Sequence, residues 1–189
     1  MTQHYWNRHI GQDGAWKTPG KPPPGEDLAA LRSGLGRDAL TVPAMWPYYS
    51  VAPDPELERY GAASGSQQAE HAALALYGLH QQSQRTPMHR RDIGVGSALL
   101  ALRRHDTGSA AAVDRRVSAL ATSTSVGALL HRLRGLITQL RDIGQPLDYD
   151  RLFRDLEAWP WPDGRARVRK AWAQGYQRWT DDTTASKSR

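Results

Sequence analysis

The chain has 189 residues, with 25 Lys and Arg against 19 Asp and Glu, a formal net charge of +6, and a mean hydropathy of −0.65. That length suits one domain, or one domain made of two small packed halves, with enough chain to bury a real core. The absence of cysteine excludes disulfides and thiolate metal sites. No run of about 18 apolar residues marks a membrane span, and no charged-then-apolar start marks a leader, so a cytoplasmic protein without contact to membrane is expected.

In chain order, a short helix is expected over residues 5–10, followed by a stiff connection or mobile arm through Pro22-Pro-Pro24, since a triple proline cannot continue a helix. Residues 26–33 place Leu28 and Leu31 on one face, with acids in the first turn and Arg32 near the end, ahead of Gly34. Prolines interrupt 41–55, where a helical turn near 43–47 is pinned by aromatics. Over 66–82, Ala69, Ala72, Ala73, Leu76, Leu79 and His80 share a face, and the small side chains let another helix approach. This predicts the central core helix.

A loop over 86–91 carries Met88-His-Arg-Arg91, and a helix marked by Val95, Leu99 and Leu102 ends in Arg103-Arg104-His105. Residues 109–120 bury Val113, Val117 and Leu120, leaving Arg115 almost opposite the stripe and Arg116 beside it. From Val126 to Leu140, seven apolar residues recur at three- and four-residue spacing and fill a face about 120° wide. Arg134 and Arg141 line one flank, Arg132 and Gln139 the other, and Gly144 and Pro146 end the helix. Asp148 caps a short helix with Leu152, Phe153 and Leu156. After Trp159-Pro-Trp-Pro, a last helix runs over 165–179, and the polar stretch 181–189 is expected to fray. Nothing alternates like a strand, so the fold class is all-α, a bundle of eight to nine helices. The divisions expected are 1–25 as an N-terminal segment, 26–180 as the helical domain and 181–189 as the tail.

Charge is concentrated in the middle. Between residues 85 and 141 ten arginines meet three aspartates, a local net charge of +7 against +6 for the whole chain. Such a block points to a polyanionic partner. Of the 25 basic residues 21 are Arg, the better fork for phosphate and a plane that stacks on bases. The helix geometry nominates Arg115, Arg116, Arg132, Arg134 and Arg141, with Arg90, Arg91, Arg103 and Arg104 at helix ends or in a loop. Catalytic patterns are missing: the seven histidines form no i, i+4 pair, no phosphate loop or serine elbow occurs, and the carboxylates do not cluster. No cofactor or metal is expected.

The order of motifs resembles the CasB family, the small subunit of the type I-E CRISPR surveillance complex Cascade. The resemblance is carried by Leu28-Ala-Ala-Leu-Arg-Ser-Gly34, Ala75-Leu-Tyr-Gly-Leu-His-Gln81, Ile93-Gly-Val-Gly-Ser-Ala-Leu99, Val113-Asp-Arg-Arg-Val-Ser-Ala-Leu120 and Leu129-Leu-His-Arg-Leu-Arg-Gly-Leu136. Leu147-Asp-Tyr-Asp-Arg-Leu-Phe-Arg-Asp-Leu156 and Val168-Arg-Lys-Ala-Trp-Ala173 complete it. The family's first motif often carries a second basic residue where Ser33 stands here, so contact at that point rests on Arg32, with Arg37 following. The resemblance implies a helical protein without enzymatic activity, present as two copies beside other Cascade subunits. Such a protein contacts crRNA and the target and displaced DNA strands, and holds the R-loop open in antiviral defence.

Three rivals remain. A helix-turn-helix regulator could use 109–144, although its recognition helix would be unusually long and lacks Asn or Gln at its start. A nucleic-acid enzyme would need His89, His105 or His131 as base. A scaffold would turn the arginines toward acidic proteins.

Overall fold

The computed structural model describes residues 3–105 and 109–177, so Trp179 and the polar stretch 181–189 lie outside it. Among the described residues nine α-helices form, and no strand: α1 (Tyr5–His9), α2 (Gly25–Arg32), α3 (Pro55–Glu58), α4 (Gly65–Gln81), α5 (Val95–His105), α6 (Ala110–Ala121), α7 (Val126–Asp142), α8 (Tyr149–Ala158) and α9 (Pro162–Gln177). A 3-10 helix spans Pro43–Tyr48, where the prolines predict a turn.

The centre is α4. Its start is fixed by reciprocal bonds between Ser64 and Gln67, each side chain bonded to the other's backbone N–H. Fourteen of its 17 residues are buried, so it is covered nearly all round rather than on one face. Helices α2, α7 and α8 pack against it. At the α2 crossing, a Cβ on Gly78 would stand 2.7 Å from the Leu31 Cβ and 3.0 Å from the Leu28 carbonyl oxygen. The absent side chain sets the approach. The α5–α9 crossing works the same way: a Cβ on Gly175 would lie 2.9 Å from the Ser97 nitrogen, and one on Gly96 would run into the Trp172 carbonyl.

Glu70 of α4 is fully buried, where burial opposes its charge. Donors from His4, from Ser50 and from the Val51 N–H outweigh that and hold its pKa below the usual carboxylate value. These bonds tie α1 and the extended segment after the 3-10 helix to the core. Trp6 and Tyr5 of α1 are buried with Tyr77 and Tyr149. The Trp6 indole N–H donates to Asp150 at 2.8 Å, and the Tyr5 and Tyr48 hydroxyls donate to the two oxygens of Asp27. The connection through the prolines is held in place: Lys17 N–H donates to the His9 carbonyl, Trp16 Nε1 to the Arg85 carbonyl, and Pro23 is buried.

Two boundaries differ from the sequence reading. Helix α3 is new, capped by Asp54, whose carboxylate accepts from the Glu56 and Leu57 N–H groups. Helix α9 begins at Pro162 rather than residue 165, because proline lacks only an N–H that the first helical position would leave unpaired.

Candidate nucleic-acid interface

Helices α5, α6 and α7 adjoin one another, and their polar faces carry most of the nominated arginines. On α7 the apolar face Leu129, Leu133, Leu136, Ile137 and Leu140 is buried, which forces Arg132 and Arg134 outward on opposite flanks. On α6, buried Val113 and Leu120 likewise leave Arg115 and Arg116 exposed.

Their engagements differ. The guanidinium groups of Arg104, Arg115 and Arg134 are exposed and form no hydrogen bond or ion pair among the described residues. Arg116 Nη1 donates to Gln139 Oε1 at 3.0 Å, bridging α6 to α7. Arg132 Nη1 donates to Ser123 Oγ at 2.6 Å. Arg141 is half-buried and pairs with Asp142 at 3.1 Å. Arg103 Nε donates to Asp114 at 2.8 Å, and Tyr176 donates to the same oxygen at 2.5 Å. The Arg103 bond, with the Tyr176 bond next, holds the Asp114 carboxyl below its ordinary pKa. Arg103 is thereby a link between α5, α6 and α9.

Three nominated arginines stand apart from this face. Arg32 is half-buried in the last turn of α2. Arg90 and Arg91 are exposed before α5: the Arg90 stem covers Gly14, and Arg91 Nε lies 3.9 Å from Asp150. The neighbouring His89 is buried, and its Nδ1 accepts from the Tyr149 N–H at 3.0 Å, so this histidine caps α8 rather than facing solvent.

Sequence reasoning missed two arginines that shape the surface. The turn between α6 and α7 receives Arg165 Nη1 on the Thr124 carbonyl at 3.0 Å and Arg169 Nη2 on the Ser123 carbonyl at 2.7 Å. Arg169 also lies over the Trp159 ring, 5.5 Å from its centroid. With Arg132 on Ser123, three guanidinium groups converge on one turn and raise the positive potential there. No local signal reveals this, since the partners are carbonyls over 40 residues away.

Such a face suits phosphate. Its exposed forks are spread over three adjoining helices, and among the described residues Arg103 and Arg141 are the members of this face paired with a carboxylate. It lacks what base readout by a recognition helix would need: α7 begins Val126-Gly-Ala-Leu, with no side chain able to read a base edge.

Comparison with known proteins agrees with this architecture. Residues 27–176 match the CRISPR-associated protein Cse2 family. The crystal structure of CasB from Thermobifida fusca is similar with a TM-score of 0.63 at 32% identity, over 80% of this chain and 84% of that one. A chain of a CRISPR RNA-guided surveillance complex is similar at 0.59 and 26% identity, over 88% of each chain. A CRISPR-associated protein of the Cse2 family from Thermus thermophilus, at 0.59 and 24% identity over 80% of this chain and 85% of that one, shares the fold. The capsid scaffolding protein of Suid herpesvirus 1 (strain Kaplan) is 41% identical over 71 residues, which span 35% of this chain and only 14% of that protein. With the family pattern over most of its length and the same helical fold, the chain belongs to the CRISPR-associated Cse2 (CasB) family.

Proposed function

We propose that this chain is the non-catalytic small subunit of a type I-E CRISPR surveillance complex, in which its arginine face holds nucleic-acid backbone and keeps the R-loop open. Family membership supports its place beside the other Cascade subunits, with a second copy of itself. The observation that carries the strand-binding part is the trio of exposed guanidinium groups of Arg104, Arg115 and Arg134 on adjoining helices, which have no partner among the described residues. Arg116, Arg132 and Arg141 extend that face, Arg103 braces it through Asp114 and adds to its charge, and Arg32, Arg90 and Arg91, apart from it, supply further contacts with crRNA, target strand or displaced strand.

The energetics fit such a role. Exchange of a DNA duplex for an RNA–DNA heteroduplex is nearly balanced, so sequence-independent contacts that favour the opened state can tip it. Phosphate contacts position the strand while guide pairing reads the sequence. Fluorescence anisotropy of labelled single-stranded DNA and RNA across a salt series tests the reading. Affinity should fall with salt by about 0.7 log units per log salt for each phosphate engaged, drop in an Arg115→Glu/Arg116→Glu variant, and leave the strands uncut. Strands cleaved by the purified chain would point to an enzyme instead.

A further inference from the structure

On the flank of α7 opposite Arg132, a cleft of about 260 Å³ opens between α4, the N-terminal half of α7 and the segment 34–38. Its floor is apolar, made by Ala72, Ala75, Leu76 and Leu130, and Arg37, His131 and Arg134 stand around it with a single acid, Asp38. Gly36 and Gly127 line it too, and a Cβ on either would meet open space. The volume lies below the roughly 300–1,000 Å³ of sites for drug-sized ligands. It suits one ring system with a small appendage.

The wall of this cleft is built rigidly. The Leu40 N–H donates to the Tyr49 hydroxyl at 3.2 Å, that hydroxyl donates to His71 Nδ1 at 2.6 Å, and His71 Nε2–H donates to the Gly34 carbonyl at 2.9 Å. Burial lowers the His71 pKa, the direction that favours a ring whose Nδ1 accepts from Tyr49. Trp46 Nε1 donates to the Leu40 carbonyl at 2.9 Å, and Leu40 sits at φ 67°, a left-handed conformation that leucine adopts only under constraint. Residues 34–40 are thus pinned at both ends in a strained path that forms one side of a cavity, the kind of cost that clusters at binding sites.

We propose that this cleft receives one unpaired nucleobase of a single strand, with the adjoining phosphate held by Arg37 and Arg134. An apolar floor asks for a flat apolar body, and two guanidinium groups ask for an anion attached to it; guanidinium planes also stack on bases. Asp38 disfavours a run of bare phosphates there, which distinguishes this subsite from the open face of α5, α6 and α7, with which it shares Arg134 at its edge. No base-edge reader lines the floor, so the site accepts any base, as a subunit that leaves sequence to the guide requires. This inference rests on the strand-binding reading above.

The test compares, by anisotropy at low salt, an intact single strand with one of equal length bearing abasic residues, using the full chain and a Gly127→Leu variant whose side chain grows into the cleft. The wild-type chain should bind the intact strand roughly 5-fold or more tightly, the lower end of base stacking on protein groups. Gly127→Leu should erase that preference while binding the abasic strand as the wild type does. Equal, salt-dependent binding of both strands by the wild-type chain would overturn the subsite and leave the phosphate-binding face standing. Binding of neither strand would overturn both readings for the free chain. A nucleoside monophosphate offers the same chemistry: if it displaced the strand at concentrations near the strand's own Kd, the free nucleotide would be the ligand and the strand-borne version would fail.

Discussion

Arg115 and Arg169 carry the same group to different ends. Arg115 stands in solvent without a partner among the described residues, whereas Arg169 donates to the Ser123 carbonyl and covers Trp159. Arg169→Gln should therefore lower stability by about 1.5–3 kcal/mol, the loss of one charge-assisted bond, and leave the salt dependence of strand binding unchanged. Arg115→Gln should do the reverse, keeping Tm and reducing the salt slope by about 0.7. Chemical denaturation and anisotropy on the two variants check this. Asp155 offers a pH-dependent counterpart. Burial pushes its pKa up to about 6, against a smaller opposing bond from Trp172 Nε1 at 2.6 Å. A carboxyl raised above its unfolded value near 3.9 favours the native state when protonated, so its contribution is full below about pH 4 and is lost as pH rises through 6. Asp155→Asn keeps an acceptor for Trp172 and should flatten that dependence, gaining on the order of 3 kcal/mol relative to wild type at pH 8. Urea unfolding at pH 5 and pH 8 reads the difference.

At the scale of helices, the crossings decide more than the faces. The α5–α9 contact brings backbone to backbone at Gly96 and Gly175, and Gly96→Ala would force a Cβ into the Trp172 carbonyl. Overpacking of this kind costs about 1–3 kcal/mol, more than the roughly 1 kcal/mol that alanine gains over glycine within a helix. A lowered urea midpoint with far-UV circular dichroism intact is the expected outcome. Helical periodicity made most elements legible in the sequence. The flanks of α7 follow directly from 100° per residue: Gln139 and Arg132 turn toward α6 and its turn, Arg134 away from them. Periodicity found the core face of α4 but not the full extent of its burial, since Glu70, His71 and Gln81 are buried beside the alanines. Those polar residues are satisfied by His4 at the start of α1, by the segment 34–50 and by the loop that ends at Met88, partners that no local pattern names. The cleft was equally hidden, because three segments distant in sequence supply its walls, and Arg165 and Arg169 act across 41 and 46 residues.

At the scale of the molecule, the stretch that matches the family begins at residue 27, yet Trp6 is fully buried among Tyr77, His89 and Tyr149. The N-terminal segment is part of the core, and Trp6→Ala should cost about 3–5 kcal/mol, as for other buried large aromatics, seen as a fall in Tm. The core in turn holds the helices that present the arginines on one rigid surface, and rigidity matters because each contact is worth little alone. Inside an assembled complex, neighbouring subunits raise the effective concentration of strand at that surface. The direct test of the strand-holding role is therefore the lifetime of an R-loop on a matched target, measured in a reconstituted type I-E complex that carries either this chain or its Arg115→Glu/Arg116→Glu variant. A shorter R-loop lifetime is expected with the variant, more so at higher salt, while the complex still assembles. An unchanged lifetime in a fully assembled variant complex would contradict it.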